Sequence, residues 1–197
     1  MTIYLENICK SYKGTEILKN FNISIEDGKC YALTGPKGCG KSTVLKIFMG
    51  IEKPDSGKVS RMGDYKYPDL KTAFVLQEEN LNLRKNAIWN VRKSHRTATK
   101  GGAIEELSRF FTDEDMNRPT GELSTARRRM IEIIKAMFVP GDFVVLDEPF
   151  REMSEEENRQ ALDYILEKLG SRPLLLAQRD EPDSKLFRII RMPHPAE

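Results

Sequence analysis

The chain has 197 residues, of which 39% are hydrophobic, and this is enough for one domain with a complete core. Its 32 Lys and Arg residues nearly balance 30 Asp and Glu residues, so the net charge of +2 gives no basis for a nucleic-acid partner. Three cysteines without metal spacing favour a reducing cytoplasm, and without a signal pattern or a run of about 20 apolar residues any membrane role requires a partner.

The N-terminal part of the chain predicts mainly β structure. The expected strands are 3–5, 21–25, 30–34, 58–60 and 72–76. Lys13-Gly14 and Pro54–Gly57 predict turns between them, and Asp27-Gly28 is typical of a hairpin leading into the strand at 30–34. The apolar run that ends at Leu76, just before Gln77, predicts a buried strand.

A phosphate-binding loop follows the strand at 30–34 and precedes a helix that Gly50 ends. The loop matches G-x-x-x-x-G-K-[ST] and consists of Gly35, Pro36, Lys37, Gly38, Cys39, Gly40, Lys41, Ser42 and Thr43. Glycines allow backbone N–H groups to face phosphate oxygens, and the helix N-terminus adds partial positive charge. We expect Lys41 to reach the β- and γ-phosphates and the Ser42 hydroxyl to ligate Mg²⁺.

The rest of the chain predicts helices alternating with strands. A polar, basic region over 78–100 has Trp89 as its one large anchor. Helices are expected over 103–111, after Gly101-Gly102, then over 122–139 and 154–169, and strands over 143–146, 174–177 and 186–190. Ser154 and Glu157 have the spacing of a capping box at the start of the last helix.

Two carboxylates end the apolar strand at 143–146. Asp147 and Glu148 lie at its C-terminal end, where ligands bind in open α/β sheets. Beside a phosphate loop, we expect Asp147 to hold Mg²⁺, directly or through water. Glu148 would orient or deprotonate the attacking water. The pair therefore predicts a site for MgATP and its hydrolysis.

These motifs together resemble the ABC-type ATPases over nearly the whole chain. The resemblance implies that Tyr12 stacks on adenine and that Gln77 links Mg²⁺ to the transmembrane contact. It also implies that Leu123-Ser124 opens the signature loop, which packs against the γ-phosphate of the other subunit's ATP. Residues 76–81, 88–91 and 147–150 resemble one branch of the family, the nitrate, sulfonate and taurine importer ATPases.

Three departures from the family pattern concern the hydrolytic site. Thr125 and Ala126 replace the two glycines of the signature LSGGQ, and their Cβ atoms could block close backbone approach. Ser154 replaces an aspartate that helps to couple the two sites of the family dimer. Gln178 replaces the switch histidine, and an amide can donate a hydrogen bond to the γ-phosphate but carries no positive charge. Ser124 keeps its hydroxyl, and the arginines at 127–129 add positive charge nearby or form a solvated helix face.

The resemblance implies an α/β fold with a P-loop NTPase, ABC-type ATPase core. We expect one domain over 1–197, with a mostly parallel sheet, an antiparallel β layer from the N-terminal third, and a small helical subdomain over roughly residues 78–139. The implied partners are a membrane permease subunit, a second nucleotide-binding subunit in an ATP-dependent dimer, and a solute-binding protein where the system includes one. The implied location is the inner face of the cell membrane, reached through the permease.

Two functions from different classes remain open at this point. The first is an energising subunit that binds and hydrolyses MgATP to drive a permease, which the intact Glu148 favours. The second is an ATP-dependent regulatory or binding module with little or no hydrolysis, which Thr125, Ala126 and Gln178 favour. A soluble ABC protein of translation or DNA repair usually has two cassettes or a long insertion, and this chain has neither. A nucleotide kinase would not explain the order of Gln77, Leu123-Ser124 and Asp147-Glu148.

Overall fold

The computed structural model of the chain describes residues 2–62 and 70–193. The chain forms two compact units, and the backbone passes from one to the other four times. Unit 1 comprises Met1–Thr72, Gly141–Glu148 and Ser171–Glu197, and unit 2 comprises Ala73–Pro140 and Pro149–Gly170. The expected helical region at 78–139 lies within unit 2, which also includes the segment that follows Glu148.

An antiparallel sheet in unit 1 is formed by the N-terminal part of the chain. Its strands are β1 (Thr2–Tyr12), β2 (Thr15–Glu26) and β4 (Ser56–Met62), in the order β2-β1-β4. Ile3 pairs with Ile25 and Leu5 with Ile23, and all four side chains are buried. Because alternate residues of a strand face the same side, this register places one apolar face of the sheet in the core.

A second sheet carries the phosphate loop. Its strands are β3 (Cys30–Thr34), β5 (Thr72–Val75), β6 (Phe143–Asp147), β7 (Leu174–Gln178) and β8 (Arg188–Arg191), in the order β5-β6-β7-β3-β8. The pairs of β3 with β7, β3 with β8, and β6 with β7 are parallel. Every residue of β6 is buried, as its continuous apolar sequence predicts for a central parallel strand.

Helix α1 (Lys41–Met49) packs in the core of unit 1. The ring of Phe48 meets that of Phe143 edge to face, with centroids 4.9 Å apart. Gly50 ends the helix in a left-handed conformation with φ of 77°, as expected for a C-terminal glycine. The helix that begins at Lys41 is therefore fixed against the strand that ends in Asp147.

Two expectations about the strands are wrong. Asp27-Gly28 forms a turn but not a hairpin, because β2 and β3 belong to different sheets and the Gly28 N–H donates to the Ser171 carbonyl at 3.0 Å. The expected buried strand at 72–76 is an edge strand, and the side chain of Phe74 is 38% exposed. Local sequence marks a turn or a strand, but the partner of each strand depends on distant residues.

The described part of unit 2 is mainly helical. Its helices are α2 (Ala87–Arg92), α3 (Lys100–Leu107), α4 (Asp113–Asn117), a 3₁₀ turn (Thr120–Glu122), α5 (Thr125–Met137) and α6 (Glu155–Leu169). Helix α3 begins before the expected position, since Thr99 accepts from the Gly102 N–H at 3.1 Å, and the glycine pair therefore lies in its first turn. The capping box of Ser154 and Glu157 at the start of α6 is confirmed.

Candidate functional site

The phosphate loop connects β3 to α1, as its sequence predicts. Gly35, Gly38 and Gly40 have φ of 143°, 88° and 95°, values that residues other than glycine rarely adopt. A Cβ atom on Gly40 would lie 2.9 Å from the Leu18 side chain and 3.0 Å from that of Ile17. The glycines therefore allow a close approach that no other residue fits, and Gly40 leaves the N-terminus of α1 without a side-chain cap.

The side chain of Lys41 points into this loop. It is 6% exposed, and its Nζ donates to the carbonyls of Gly35 at 2.6 Å and Pro36 at 3.0 Å. The same ammonium lies 4.0 Å from Oε1 of Glu148. The structure thus brings Lys41, the lysine expected to bind phosphate, and the candidate base Glu148 into one site within unit 1.

Asp147 and Glu148 lie at the C-terminal end of β6, as predicted. Asp147 is 2% exposed and pairs in register with Ala177 of β7. Glu148 has a positive φ of 48°, and its N–H donates to the Ala177 carbonyl at 2.8 Å. Burial raises the pKa of the Glu148 carboxyl above its ordinary value, and the nearby Lys41 partly opposes this shift. A carboxyl with a raised pKa is better suited to accept a proton near neutral pH.

Gln178 ends β7 and pairs in register with Thr34, the last residue of β3. The parallel register therefore brings Gln178 to the sheet edge from which the phosphate loop begins. Its amide Nε2 donates to the carbonyl of Asp180 at 2.8 Å. One N–H of the side-chain amide is thus engaged with the backbone of the loop that follows β7, and the amide nitrogen has a second N–H that can donate to a phosphate.

Tyr12 lies at the end of β1, beside the start of α1. Its hydroxyl interacts with the side chains of Glu52 and Thr43, and the second of these belongs to the phosphate-loop motif. Burial and the Glu52 carboxylate raise the pKa of the Tyr12 phenol. The Lys10 ammonium lies 5.3 Å from the ring centroid, and the residue is 39% exposed. An exposed aromatic ring at this position fits the expected role of stacking on a base.

Gln77 and Ser124 belong to unit 2 rather than to the unit that carries the phosphate loop. Gln77 is exposed, and its backbone carbonyl accepts from Arg129 Nη2 at 2.5 Å. Ser124 is the N-cap of α5 and accepts from the Arg127 N–H at 3.3 Å, so its own hydroxyl proton is directed elsewhere. The signature hydroxyl is therefore held at a helix N-terminus, where an anion is favoured.

The three arginines that follow Ala126 do not form a solvated helix face. Arg127 pairs with Asp115 at 2.6 Å, and Arg128 donates to the Leu123 carbonyl at 2.6 Å. Arg129 is 5% exposed and pairs with Glu132 at 2.7 Å. The sequence interpretation missed these partners, although the three-residue spacing of Arg129 and Glu132 is typical of a pair on one helix face.

The donor set suits Mg²⁺ held together with nucleotide phosphates. Among the residues that the structure describes, no three His, Cys, Asp or Glu side chains cluster as a metal cage. Mg²⁺ usually keeps several waters and takes one or two protein oxygens plus phosphate oxygens. The Ser42 hydroxyl at the start of α1 and the Asp147 carboxylate at the end of β6 are oxygen ligands of this kind.

A family model described as ABC transporter matches residues 18–151, more than half of the chain. The chain belongs to the ABC transporter family. This confirms the family resemblance, although the nitrate, sulfonate and taurine branch remains a prediction.

Curated relatives of this ABC family member include ATP-binding proteins of import systems. It is 31% identical over 175 residues to the sulfate/thiosulfate import ATP-binding protein CysA of Synechocystis, covering 84% of this chain and 49% of the relative. It is 26% identical over 200 residues to the ribose import ATP-binding protein RbsA of Bacillus subtilis, covering 92% of this chain and 41% of the relative. The chain thus spans half or less of the length of these two relatives.

Solved ABC structures share the fold. An ABC transporter ATP-binding protein from Pyrococcus furiosus superposes with a TM-score of 0.82 at 21% identity, covering 96% of this chain and 97% of that one. An ATP-binding cassette solved as a dimer in a post-hydrolysis state, bound to ADP and Pi, superposes with a TM-score of 0.80 at 25% identity, covering 96% and 94%. The expected ABC-type ATPase core is confirmed. Within the described residues, no helix combines the length and apolarity needed to cross a membrane.

Proposed function

We propose that this chain is the ATP-binding subunit of an ABC transporter, which hydrolyses MgATP at a dimer interface to energise a membrane permease. The observation that carries this proposal is the 4.0 Å approach of the Glu148 carboxylate to the Lys41 ammonium inside the phosphate loop. A lysine that binds phosphate and a carboxylate that can accept a proton are needed at one place for hydrolysis, and they are not needed together for binding alone.

Each site residue of unit 1 has a separate role in the proposed reaction. Lys41 and the loop N–H groups bind the phosphates, and Tyr12 stacks on the adenine. Ser42 and Asp147 hold Mg²⁺, which supplies neutralisation of the charge that develops on the transferred phosphoryl group. Glu148 positions the attacking water and accepts its proton, and Gln178 donates a hydrogen bond to the γ-phosphate.

A second nucleotide-binding subunit completes the proposed site. The Ser124 hydroxyl of one subunit would donate to the γ-phosphate held by the other, because Ser124 already accepts a bond from the Arg127 N–H. The Cβ atoms of Thr125 and Ala126 would keep the backbone of this loop farther from the γ-phosphate of the other subunit's ATP than glycines would. The dimeric ADP-bound and Pi-bound relative supports a dimer as the working form.

The proposed permease contact lies on the segment from Gln77 to Arg96. Trp89 is half-buried in α2, and the Lys85 ammonium lies 6.0 Å from its ring centroid. An aromatic side chain among basic groups on a polar surface is typical of an interface anchor. The names of the curated relatives, import ATP-binding proteins for sulfate/thiosulfate and for ribose, support import of a small solute. The proposal also includes a solute-binding protein on the outer side and a place for this subunit on the inner face of the membrane.

Steady-state ATP hydrolysis by the purified protein, with and without its permease, tests the proposal. We expect MgATP turnover that Glu148→Gln abolishes while binding persists, because this change removes the base and keeps the shape of the side chain. Glu155→Gln, an exposed glutamate in the first turn of α6, is the matched control and should leave turnover unchanged. Turnover equal in the wild type and Glu148→Gln would contradict hydrolysis by this site.

A regulatory module that binds ATP without hydrolysis is the second candidate. The observation that favours it is the replacement of the signature glycines by Thr125 and Ala126 and of the switch histidine by Gln178, whose amide carries no positive charge. This candidate predicts tight MgATP binding and ATP-dependent dimers without release of phosphate. Binding and phosphate release, measured on the same preparation, separate the two functions.

A further inference from the structure

Three charged side chains of α5 occur at every third position of the helix. Arg129, Glu132 and Lys135 therefore lie on one side of α5, within about a third of its circumference. Arg129 and Glu132 are buried, at 5% and 4% exposure, although charged side chains are rarely buried in this way without a specific partner. We call these three residues the α5 clasp.

The clasp binds backbone atoms of the segment that contains Gln77. Arg129 Nη1 donates to the Leu76 carbonyl at 2.7 Å, and Nη2 donates to the Gln77 carbonyl at 2.5 Å. Glu132 Oε1 accepts from the Asn80 N–H at 2.6 Å, while its Oε2 receives Arg129 Nη1 at 2.7 Å. All three contacts to the segment are charge-assisted, the stronger class of protein hydrogen bond.

Two further contacts to the same segment come from Lys135, the third residue of the clasp, and from the neighbouring Arg128. Lys135 Nζ donates to the Asn80 carbonyl at 2.5 Å, and Arg128 pairs with Glu79 at 2.7 Å. The backbone is thus fixed on both sides of Gln77, while the side chain of Gln77 is exposed. This arrangement fixes the backbone position of Gln77 and leaves its side-chain amide accessible to a ligand.

Stability alone does not account for the buried pair. Replacing a buried ion pair by apolar side chains of similar size is often neutral or stabilising, since desolvation offsets the attraction of the charges. Apolar side chains at 129 and 132 could fill the same volume, but they could not bind the carbonyls of Leu76 and Gln77 or the N–H of Asn80. What the charged pair supplies is therefore the position of the segment.

We propose that Arg129 and Glu132 are positioning residues for Gln77, which hold its backbone in place and keep its amide exposed for the role with Mg²⁺ that the family resemblance implies for this glutamine. The inference rests on the proposed function and deepens it. Helix α5 begins at the Ser124 cap, so one rigid element carries both the signature hydroxyl and the residues that hold Gln77. Two groups that act on different nucleotides of a dimer are thereby linked through a single helix.

The test combines Arg129→Met with Glu132→Leu, which removes both charges without leaving one of them buried and unpaired. The control is Glu106→Leu with Lys168→Met, which removes an ion pair between α3 and α6 elsewhere in unit 2. We expect the clasp variant to fold and to bind ATP within about twofold of the wild type. The kcat of the clasp variant should fall by about tenfold, because Gln77 is displaced rather than removed. For the same reason, a higher Mg²⁺ concentration should be needed for half-maximal turnover.

Hydrogen exchange gives a readout that does not depend on turnover. The Asn80 N–H, which donates to Glu132, should exchange at least about tenfold faster in the clasp variant and unchanged in the control. In a Gln77→Ala background the clasp substitutions should cost no further kcat, because both changes act through one group. The proposal is overturned if Asn80 exchange is unchanged, or if the loss of kcat is equally large without Gln77.

The outcomes also separate this inference from the proposed function. If the wild type releases no phosphate, the hydrolytic function fails, and the positioning of Gln77 is then decided by Asn80 exchange and by the Mg²⁺ dependence of ATP binding in calorimetry. Faster exchange with weaker Mg²⁺-dependent binding in the clasp variant supports the inference. Faster exchange with unaltered Mg²⁺ dependence contradicts it, because the clasp would then affect only local structure.

Discussion

Lys41 is the residue that we propose as the main phosphate contact. Its ammonium lies among the carbonyls of Gly35 and Pro36 and the carboxylate of Glu148. Phosphate oxygens must take over some of these contacts when ATP binds. The pairing of Lys41 with Glu148 also means that the arrival of phosphate frees the candidate base from its counter-charge at the moment when a substrate is present.

We expect Lys41→Ala to weaken MgATP binding by at least about tenfold, because a charge-assisted contact is worth roughly 1.5–3 kcal/mol. Isothermal titration calorimetry measures the affinity. Lys46→Ala, on the same helix but outside the loop, is the control and should bind normally. Equal affinities for Lys41→Ala and the wild type would show that the loop holds phosphate without its lysine.

The pH dependence of turnover should report the environment of Glu148. A general base must be ionised, and burial raises the pKa of this carboxyl, so its deprotonated fraction falls at a higher pH than for an ordinary glutamate. We expect kcat to decline as the pH falls, and this decline should occur at a higher pH than the titration of an ordinary glutamate. Phosphate release measured as a function of pH, with MgATP saturating at each pH, checks the position of the decline. A decline at no higher pH than that of an ordinary glutamate would rule out a base with a raised pKa.

The site residues differ in how far the sequence could predict them. Lys41, Ser42, Asp147 and Glu148 were placed correctly next to their strands and helix, because a contiguous motif fixes their positions through local backbone geometry. Their roles in binding and hydrolysis stay predictions. The contacts of Arg129 could not be predicted, since they join residues 52 and 53 positions apart in the chain. Nothing in the composition of the 127–129 triplet indicates such partners.

At the scale of single elements, the start of α5 carries Thr125 and Ala126 in place of the two glycines of the family signature. We expect turnover to rise when glycine is restored at Thr125 and Ala126 and histidine at Gln178, because each change restores a group that contacts the γ-phosphate in the family. Loss of one preorganised donor costs about 10²–10³ in rate, which bounds the gain from one restoration. Single and combined variants, assayed for phosphate release, measure the effect.

One further substitution in the combined variant serves as its control. Adding Glu148→Gln to it should abolish the gain, since the restored donors act only when water is activated. A wild type that already turns over briskly, and variants that do not exceed it, would mean that Thr125, Ala126 and Gln178 are adequate replacements. The effects of these groups need not add, because they act on one transition state.

The capping box at α6 allows a prediction about stability. Ser154 accepts from the Glu157 N–H at 3.3 Å, and the Glu157 carboxylate accepts from the Ser154 N–H at 2.8 Å. We expect Ser154→Ala to lower the free energy of unfolding by about 1 kcal/mol and Ser154→Asp, which can still cap, to cost much less. Urea unfolding followed by circular dichroism measures both. Equal losses for the two variants would contradict a capping role.

The positions of strands and turns along the chain were easier to predict than which strands pair with each other. The apolar runs at 143–146 and 174–177 became β6 and β7 because a strand covered on both faces needs continuous apolar sequence. The turn at Asp27-Gly28 was placed correctly and its hairpin was wrong, since the Gly28 N–H finds its acceptor at Ser171, far along the chain. Pairing is decided by the whole sheet, which a local pattern does not contain.

For the molecule as a whole, the prediction concerns assembly. We expect Glu148→Gln to form dimers in MgATP and monomers without it, because ATP that is not hydrolysed keeps both signature loops engaged. Light scattering coupled to size exclusion measures the mass. Glycine at Thr125 and Ala126 should raise the dimer fraction, and Lys41→Ala should abolish it. A monomer at every ATP concentration would contradict the proposed interface.

Glu148 is also the last residue of unit 1, and Pro149 is the first of unit 2. One peptide bond therefore joins the candidate base to the body that carries the signature helix and Gln77. At this joint Glu148 has a φ of 48°, a conformation that costs a non-glycine residue about 1 kcal/mol or more, and the following proline ring restricts the backbone before it. No other residue separates the candidate base from the proline that restricts its backbone, so the position of the Glu148 carboxylate depends directly on the conformation of this joint.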